Sequence, residues 1–585
     1  MDSGLKTISS LFDGAKKLII PIYQRPYTWG DEQWKNFWED VYYHSPGQKY
    51  FFGTILVKES KKKGDFEQFD VVDGQQRVTT ITIFIYLLLK RLEEHDPTRK
   101  LKIKRDKYIE YEDNYKFSVN ELDNEFFQTY ILKDENENII FQTPSQRRLF
   151  TAKEYFKNKI QDCPVKELDR MLEMVEDSEI LVYSVKDSAE ATLIFETTND
   201  RGKPLTNLEK VKSFLMYRSY LSAGKKTTDI IDRIQKRFGD MYQVLERIKS
   251  VYAIRGIKEV EEDQICQYHF IAEGKWSSRI DYQNFLNTMK TQLNEFWHEK
   301  KHKEIIDYIE NYSMSLKETF EAFELILNYK NKFLDDIIYI GNVAIFFPVL
   351  IIAYKRDETE AKTNFNKILA ALEKFSARMY FYNAYRKTDV RYTFNVKAFN
   401  FELNKDYKEL EKSILDGINL CGQIENVLRK PDLYQYLSSN ALNYLFWKYE
   451  NYLRTQFQPK SSAMSYEEFN DKNYQYRITI DHITSQNPQN GLQFAERTEK
   501  FNEESLHSLG NLTIAPQSSN SSMGNSGWDI KKQYYFEKAP FKTQLELSDF
   551  VNPRVKQWGQ KAINQRRDKV IEFAVDKWSV ANTST

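Results

Sequence analysis

Asp481 and His482 stand next to each other in the C-terminal part of the chain, and Asn511 and Asn520 follow in the same region. These residue types can assemble a centre that hydrolyses phosphodiesters. A neutral imidazole at His482 can take a proton from water, because histidine titrates near neutral pH. The Asp481 carboxylate and the Asn520 amide oxygen are hard ligands suited to Mg²⁺ or Mn²⁺. Asn511 has two possible uses, holding the other ring nitrogen of the histidine or securing its loop. His507 is the alternative base or ligand, and an Asp-His dipeptide among ordinary asparagine turns is the competing reading.

A second cluster, Asp73–Gly74–Gln75–Gln76–Arg77, lies far upstream, with Gln24 and Arg25 before it. Arg25 and Arg77 offer planar bidentate donors to phosphate. Gln75 and Gln76 can hydrogen-bond phosphate, ribose or base, and Asp73 can ligate a phosphate-bound Mg²⁺. The chain has neither a Gly-x4-Gly-Lys-Ser/Thr loop nor a Gly-x-Gly-x2-Gly turn, so a nucleotide site here is of another type. A buried structural polar network is the alternative.

Several elements must position these groups. Tyr476 to Ile480 alternates enough to be a strand with Asp481 and His482 at its end. Leu512–Ile514 reads as a second strand and Asp529–Phe536 as a helix, a ββα support. Lys17–Tyr23, Phe51–Lys58, Phe69–Val72 and Ile180–Val185 read as strands, and Val78–Leu92 as a helix. Gln75, Gln76 and Arg77 then lie at a strand-to-helix junction, where free backbone N–H groups can receive an anion. Asp31 is placed to cap a helix through Tyr42. Leu101–Arg105, with alternating lysines, reads as a basic-faced strand or a solvated face. Ala189–Glu196 and Asn207–Ser219 look helical around the polar turn Asn199–Pro204. Long helical periodicity dominates residues 225–400, Ala441–Arg454 is a further helix, and Gln458–Ser465 is a linker candidate.

With 585 residues, 41% of them hydrophobic, the chain is long enough for two or three domains. Its 85 basic and 85 acidic residues cancel, so a nucleic-acid contact must rest on local patches. Three cysteines make neither a disulfide framework nor a thiolate zinc site, which fits a reducing compartment. Met1–Lys17 lacks the basic-then-apolar pattern of a secretory signal. The apolar run Val343–Ala353 is too short to cross a bilayer and contains Pro348. A cytoplasmic protein without membrane contact is expected.

Asp481–His482, Gly510–Asn511–Leu512–Thr513 and Asn520 resemble the His-Me finger, or HNH, nucleases, particularly the GmrD half of GmrSD-type modification-dependent restriction enzymes. The resemblance implies His482 as general base, Asp481 and Asn520 as metal ligands, and Asn511 as support for the base. Asp481 stands where that family often has Glu. Asn525 and Lys531 fall where the family places further polar residues, Lys531 being a possible phosphate contact or a solvated helix residue. Pro21–Trp29 and Asp73–Thr80 resemble the GmrS half, and Asn199–Leu205 its third block. The resemblance implies a ParB/sulfiredoxin-like core, implicated in binding and hydrolysing nucleoside triphosphate. The resemblance makes Asp73 metal-associated and Gln75, Gln76 and Arg77 nucleotide contacts, with Gln24, Arg25, Asn199 and Arg201 completing the site.

The expected fold is α+β and multidomain. It comprises a ParB/sulfiredoxin-like sensor over 1–224, a helical coupling region over 225–400, and a nuclease domain over 401–585 with its ββα core about 475–540. The expected function is a nucleotide-regulated, metal-dependent endonuclease of anti-phage defence that acts on double-stranded phage DNA according to its modification, with a homodimer as one expected assembly. A nickase of a phosphorothioate-dependent system, or a catalytically silent DNA-binding or abortive-infection regulator, are the alternatives.

Overall fold

The computed structural model describes residues 3–45, 47, 49–60, 66–135, 139–186, 190, 205–255, 257, 260–273, 284–341, 343–382, 387–419, 423–457, 463–465, 468–469, 478–486, 503–537, 541–551 and 558–580. They are mostly helical with a smaller share of sheet, and form two compact units. One comprises Met1–Ile271 and Lys275–Asn328, the other Ala272–Gly274 and Tyr329–Thr585.

The first unit holds a six-stranded mixed sheet. Its strands lie in the order Gly4–Thr7, Glu179–Val185, Phe51–Glu59, Glu67–Asp73, Lys16–Ile19, Phe117–Ser118. Glu67–Asp73 pairs antiparallel with Phe51–Glu59 and parallel with Lys16–Ile19, and runs directly into the helix Gln75–His95. Gly74 makes that turn with φ +82°, and a Cβ there would come within 3.0 Å of the Ile55 side chain and 3.1 Å of the Thr54 carbonyl. The helix is rich in Thr and Ile, mediocre helix formers. Burial on nearly every side outweighs propensity, from Val78 through Leu89. Thr79, Thr80 and Thr82 satisfy their buried hydroxyls by donating to the carbonyls of Gln75, Gln76 and Val78 at 2.8–2.9 Å.

Two expectations are corrected. Leu101–Arg105 is not a strand: Lys102–Tyr108 is a helix. Its cations pair with carboxylates distant in sequence, Lys104 with Glu176 at 2.7 Å and Arg105 with Glu93 at 3.0 Å. Asp31 is the first residue of its helix, Asp31–Tyr42, rather than the cap. Gly30 caps it, donating its N–H to Gln33 at 3.0 Å, while Asp31 and Glu32 favour the positive end of the helix dipole. The helices Thr227–Arg255 and His302–Asn328 pack along each other, laced by Arg233–Glu310 and Arg247–Glu324. Every described regular element between 225 and 400 is helical, and the division between the units falls inside this stretch.

In the second unit the apolar run around Pro348 is the buried helix Phe347–Arg356, with the proline in its first turn, where no N–H is needed. Among the described residues no helix is long and apolar enough to cross a membrane. The strands Ile478–His482 and Leu512–Pro516 pair antiparallel, setting His482 opposite Leu512 and Asp481 opposite Thr513. The helices Gln517–Met523, Trp528–Glu537, Lys542–Leu545 and Leu547–Phe550 follow, and Gln560–Trp578 is the last described element. Residues 476 and 477 lie outside the described residues.

The last helix lies tightly against Leu509–Asn511. A Cβ on Gly510 would fall inside the Ile563 carbonyl, a backbone atom that cannot swing away. Arg566, fully buried on that helix, donates to the carbonyls of Gly510 and Leu512 and pairs with Glu546 at 3.0 Å. Gly510→Ala is expected to destabilise this unit by about 3 kcal/mol, at the upper end of overpacking costs. Denaturant unfolding of the variant measures this, and an unchanged midpoint would refute the packing account.

Candidate functional site

Successive strand residues face opposite sides, yet Asp481 and His482 line one cavity because the strand ends at His482. The cavity has a volume of about 310 Å³ and is also lined by Gln486, Asn520, Asn525 and Lys531. Asp481 and His482 are only 4% and 5% exposed. Their surroundings therefore decide their chemistry.

Lys531 Nζ donates to Asp481 Oδ1 at 2.8 Å and to the His482 carbonyl at 2.6 Å, and the Tyr535 hydroxyl donates to Asp481 Oδ2. Lys531 is buried against Asp481, not a solvated helix residue. His482 Nε2 lies 3.1 Å from His507 Nδ1, and Gln486 Nε2 lies 2.6 Å from His482 Nδ1. Burial, then His507 and Lys531, push the His482 pKa down to about 3, so the imidazole is neutral at physiological pH.

Asn511 is fully buried, and among the described residues its amide makes no hydrogen bond to the His482 ring. Its Oδ1 accepts from Thr484 N at 2.9 Å and Trp558 Nε1 at 3.2 Å, and its Nδ2 donates to the Leu506 carbonyl at 2.9 Å and the Thr484 carbonyl at 3.3 Å. Of its two uses, the geometry matches securing the loop after His482. Asn520 sits on the helix Gln517–Met523, and its Nδ2 donates to Thr479 Oγ1 at 2.9 Å and the Ile480 carbonyl at 3.4 Å. Ser485 donates to Asn525 at 3.1 Å.

Among the described residues no three His, Cys, Asp or Glu side chains gather as a metal nest. The set on offer is the Asp481 carboxylate and the Asn520 amide in one cavity. Each Asp481 oxygen keeps an acceptor position beyond its Lys531 or Tyr535 bond, and Asn520 has its nitrogen committed, leaving the oxygen as acceptor. Such a sparse oxygen set fits Mg²⁺, which retains waters and takes one or two protein ligands plus phosphate.

The second cluster lies in the first unit. Gln24 donates to the Val72 carbonyl at 2.8 Å. Gln76 clasps the Pro21–Trp29 segment, accepting from Thr28 N at 2.7 Å and donating to the Pro26 carbonyl at 3.1 Å. These two glutamines therefore hold the loop to the strand-to-helix junction. Arg77 donates to the Thr54 carbonyl at 2.9 Å and lies over Gly53, where a Cβ would come within 3.2 Å of the guanidinium. Arg25 Nε lies 3.1 Å from Glu209 Oε1, an ion contact not aligned as a hydrogen bond. Burial raises the Asp73 pKa against the opposing pull of the Gly74 N–H, Arg77 and Arg25. Gln75 is buried at the start of the helix, and its Oε1 has no partner among the described residues. Asn199 and Arg201 lie outside the described residues.

Tyr535, Gln486, Trp558 and Lys212 escaped the sequence reading. Tyr535 lies four residues after Lys531 on one helix face, and that spacing was a signal. Lys212, buried and donating to the Tyr23 carbonyl at 3.1 Å, has its pKa lowered by burial to about 8 and carries no local mark. Replacing Asn511 by Ala strips the acceptor from the Thr484 and Trp558 N–H groups. A loss of about 3 kcal/mol is expected, several buried hydrogen bonds at about 1 kcal/mol each. Equilibrium unfolding tests it, and a stability equal to the parent's would contradict the loop-securing role.

Residues 8–216 match the family model described as "GmrSD restriction endonuclease, N-terminal domain". Residues 423–573 match that of "GmrSD restriction endonucleases, C-terminal domain". No curated protein matches the chain. With the two domains present in order, one containing Asp73–Arg77 and the other Asp481–His482, the chain belongs to the GmrSD restriction endonucleases, DNA-cutting enzymes of phage defence.

Proposed function

We propose that the protein is a nucleotide-regulated, metal-dependent endonuclease that cuts invading double-stranded DNA in the cytoplasm according to its modification status. Its cutting centre is of the HNH type, and its sensor, over about 1–224, is ParB/sulfiredoxin-like. The observation that carries the reading is the single cavity shared by Asp481, His482 and Asn520 at a strand end.

In this reading the neutral His482 ring takes a proton from a water that attacks phosphorus. Lys531 and Tyr535 hold the Asp481 carboxylate, and Lys531 also fixes the backbone at His482. Lys531 adds positive charge beside the phosphate. Asn511 keeps the loop from Ile483 onward in place. A divalent ion held by Asp481 and Asn520, when bound, would stabilise charge on the attacked phosphate and leaving oxygen.

The nucleotide site is assigned to Asp73, Gln75, Arg77 and Arg25. The Gln75 oxygen at a helix start, without a partner among the described residues, supports it, because a buried polar atom without a bond is costly unless a ligand supplies one.

The purified protein should cleave only with Mg²⁺ or Mn²⁺, and differently on matched modified and unmodified phage DNAs, with the nucleotide changing the rate. His482→Ala should lower cleavage by about 10³-fold while DNA binding persists. Normal cleavage by that variant would reject the base assignment, and intact DNA under every condition would favour the silent DNA-binding reading. Strand-resolved gels separate nicking from double-strand cutting. Folded Asp73→Ala or Arg77→Ala protein that turned nucleotide over at the parent rate would reject the N-terminal assignment.

A further inference from the structure

The base assigned to His482 needs one ring nitrogen lone pair aimed at water and the ring held still. Among the described residues neither a carboxylate nor a backbone carbonyl accepts from a His482 ring nitrogen. The partner at Nε2 is His507 Nδ1, 3.1 Å away, with the two rings at 87°. An edge-on approach of this kind points a ring N–H along the lone pair of the other ring.

We propose that His507 is the positioning residue of the nuclease centre, accepting the Nε2–H of His482 and so fixing the tautomer whose Nδ1 takes the proton from water. This rests on His482 being the base. The two faces of the ring differ. The cavity is lined by His482 and Gln486 and not by His507, so Nε2 turns to His507 and Nδ1 is the nitrogen left for a cavity water. Gln486 Nε2 lies 2.6 Å from Nδ1 and 3.3 Å from Nε2, so it does not choose between the tautomers. A base acting through Nδ1 carries its proton on Nε2, facing His507.

His507 is itself held. Its ring stacks on Tyr434 at 5.9 Å and 13°, and its carbonyl accepts the Tyr434 N–H at 3.1 Å. Tyr434 also sets its ring against that of His482, 4.5 Å away at 76°. One tyrosine thus steadies both imidazoles. A neutral acceptor has an advantage here, because a carboxylate in the same position would repel the phosphate of the substrate.

The test compares substitutions at His507 in the full-length protein. His507→Phe keeps a ring to stack on Tyr434 and removes the acceptor. His507→Asn keeps an acceptor at the reach of Nδ1, whereas His507→Gln places it at the reach of Nε2. The phenylalanine variant should lose about 10²–10³-fold in kcat with KM for DNA unchanged, the range for a misplaced or mis-tautomerised catalytic group. The asparagine variant should recover most of that loss and the glutamine variant should not. Nitrogen NMR of protein labelled with ¹⁵N-histidine should show His482 protonated at Nε2 in the parent and in His507→Asn, and a mixture of tautomers in His507→Phe. Should the phenylalanine variant fail to fold, the contrast between asparagine and glutamine carries the test. Parent-like kcat in His507→Phe, equal rates for asparagine and glutamine, or an unchanged tautomer overturns the proposal. His482→Ala separates the two levels: if it cuts normally the base reading falls and this inference with it, and if it is inactive while His507→Phe cuts normally, only the inference falls.

Discussion

The C-terminal site is organised around a buried cation. Lys531 reaches from the Trp528–Glu537 helix to the end of the Ile478–His482 strand and binds both the Asp481 carboxylate and the His482 carbonyl. A buried charge is costly unless its partners are close and numerous, and removing one partner of such a pair typically costs about 3–5 kcal/mol. The helix cannot drift from the strand without stranding that charge. Tyr535, one turn further on, fills the second carboxylate oxygen. Together they set the direction of the carboxylate, and with it the geometry available to anything the cavity binds.

Much of this support was legible. The alternation before Asp481, the Leu512–Ile514 strand and the Asp529–Phe536 helix correspond to Ile478–His482, Leu512–Pro516 and Trp528–Glu537. The carrier of Asn520 was not. Gln517–Met523 is rich in Ser and Asn, which favour caps and turns over helix interiors, so its composition conceals the helix. Nor could local sequence disclose Lys531 as the partner of Asp481, since the pair closes a separation of 50 residues. The same limit explains the Lys102–Tyr108 helix: alternating lysines mimic a strand face until Glu176 and Glu93 arrive from elsewhere in the fold.

At the N-terminal cluster, residues of one motif divide by task. Gln24 and Gln76 spend amide groups on backbone and hold a loop, while Gln75, next to Gln76, keeps a buried oxygen without a bond among the described residues. Side-chain type alone does not separate these tasks. The strand-to-helix turn does, because helical geometry sends adjacent residues in different directions and only one of the two neighbouring glutamines can face the loop.

The contact of Arg566 with the Gly510 and Leu512 carbonyls has a consequence in time. The strand carrying Asp481 and His482 and its partner strand leave the ribosome well before the Gln560–Trp578 helix, yet the segment between them is fastened by a cation on that helix. The Gly510 and Leu512 carbonyls therefore meet the Arg566 cation only after both strands they join have been made, and a chain stopped before that helix lacks the fastening.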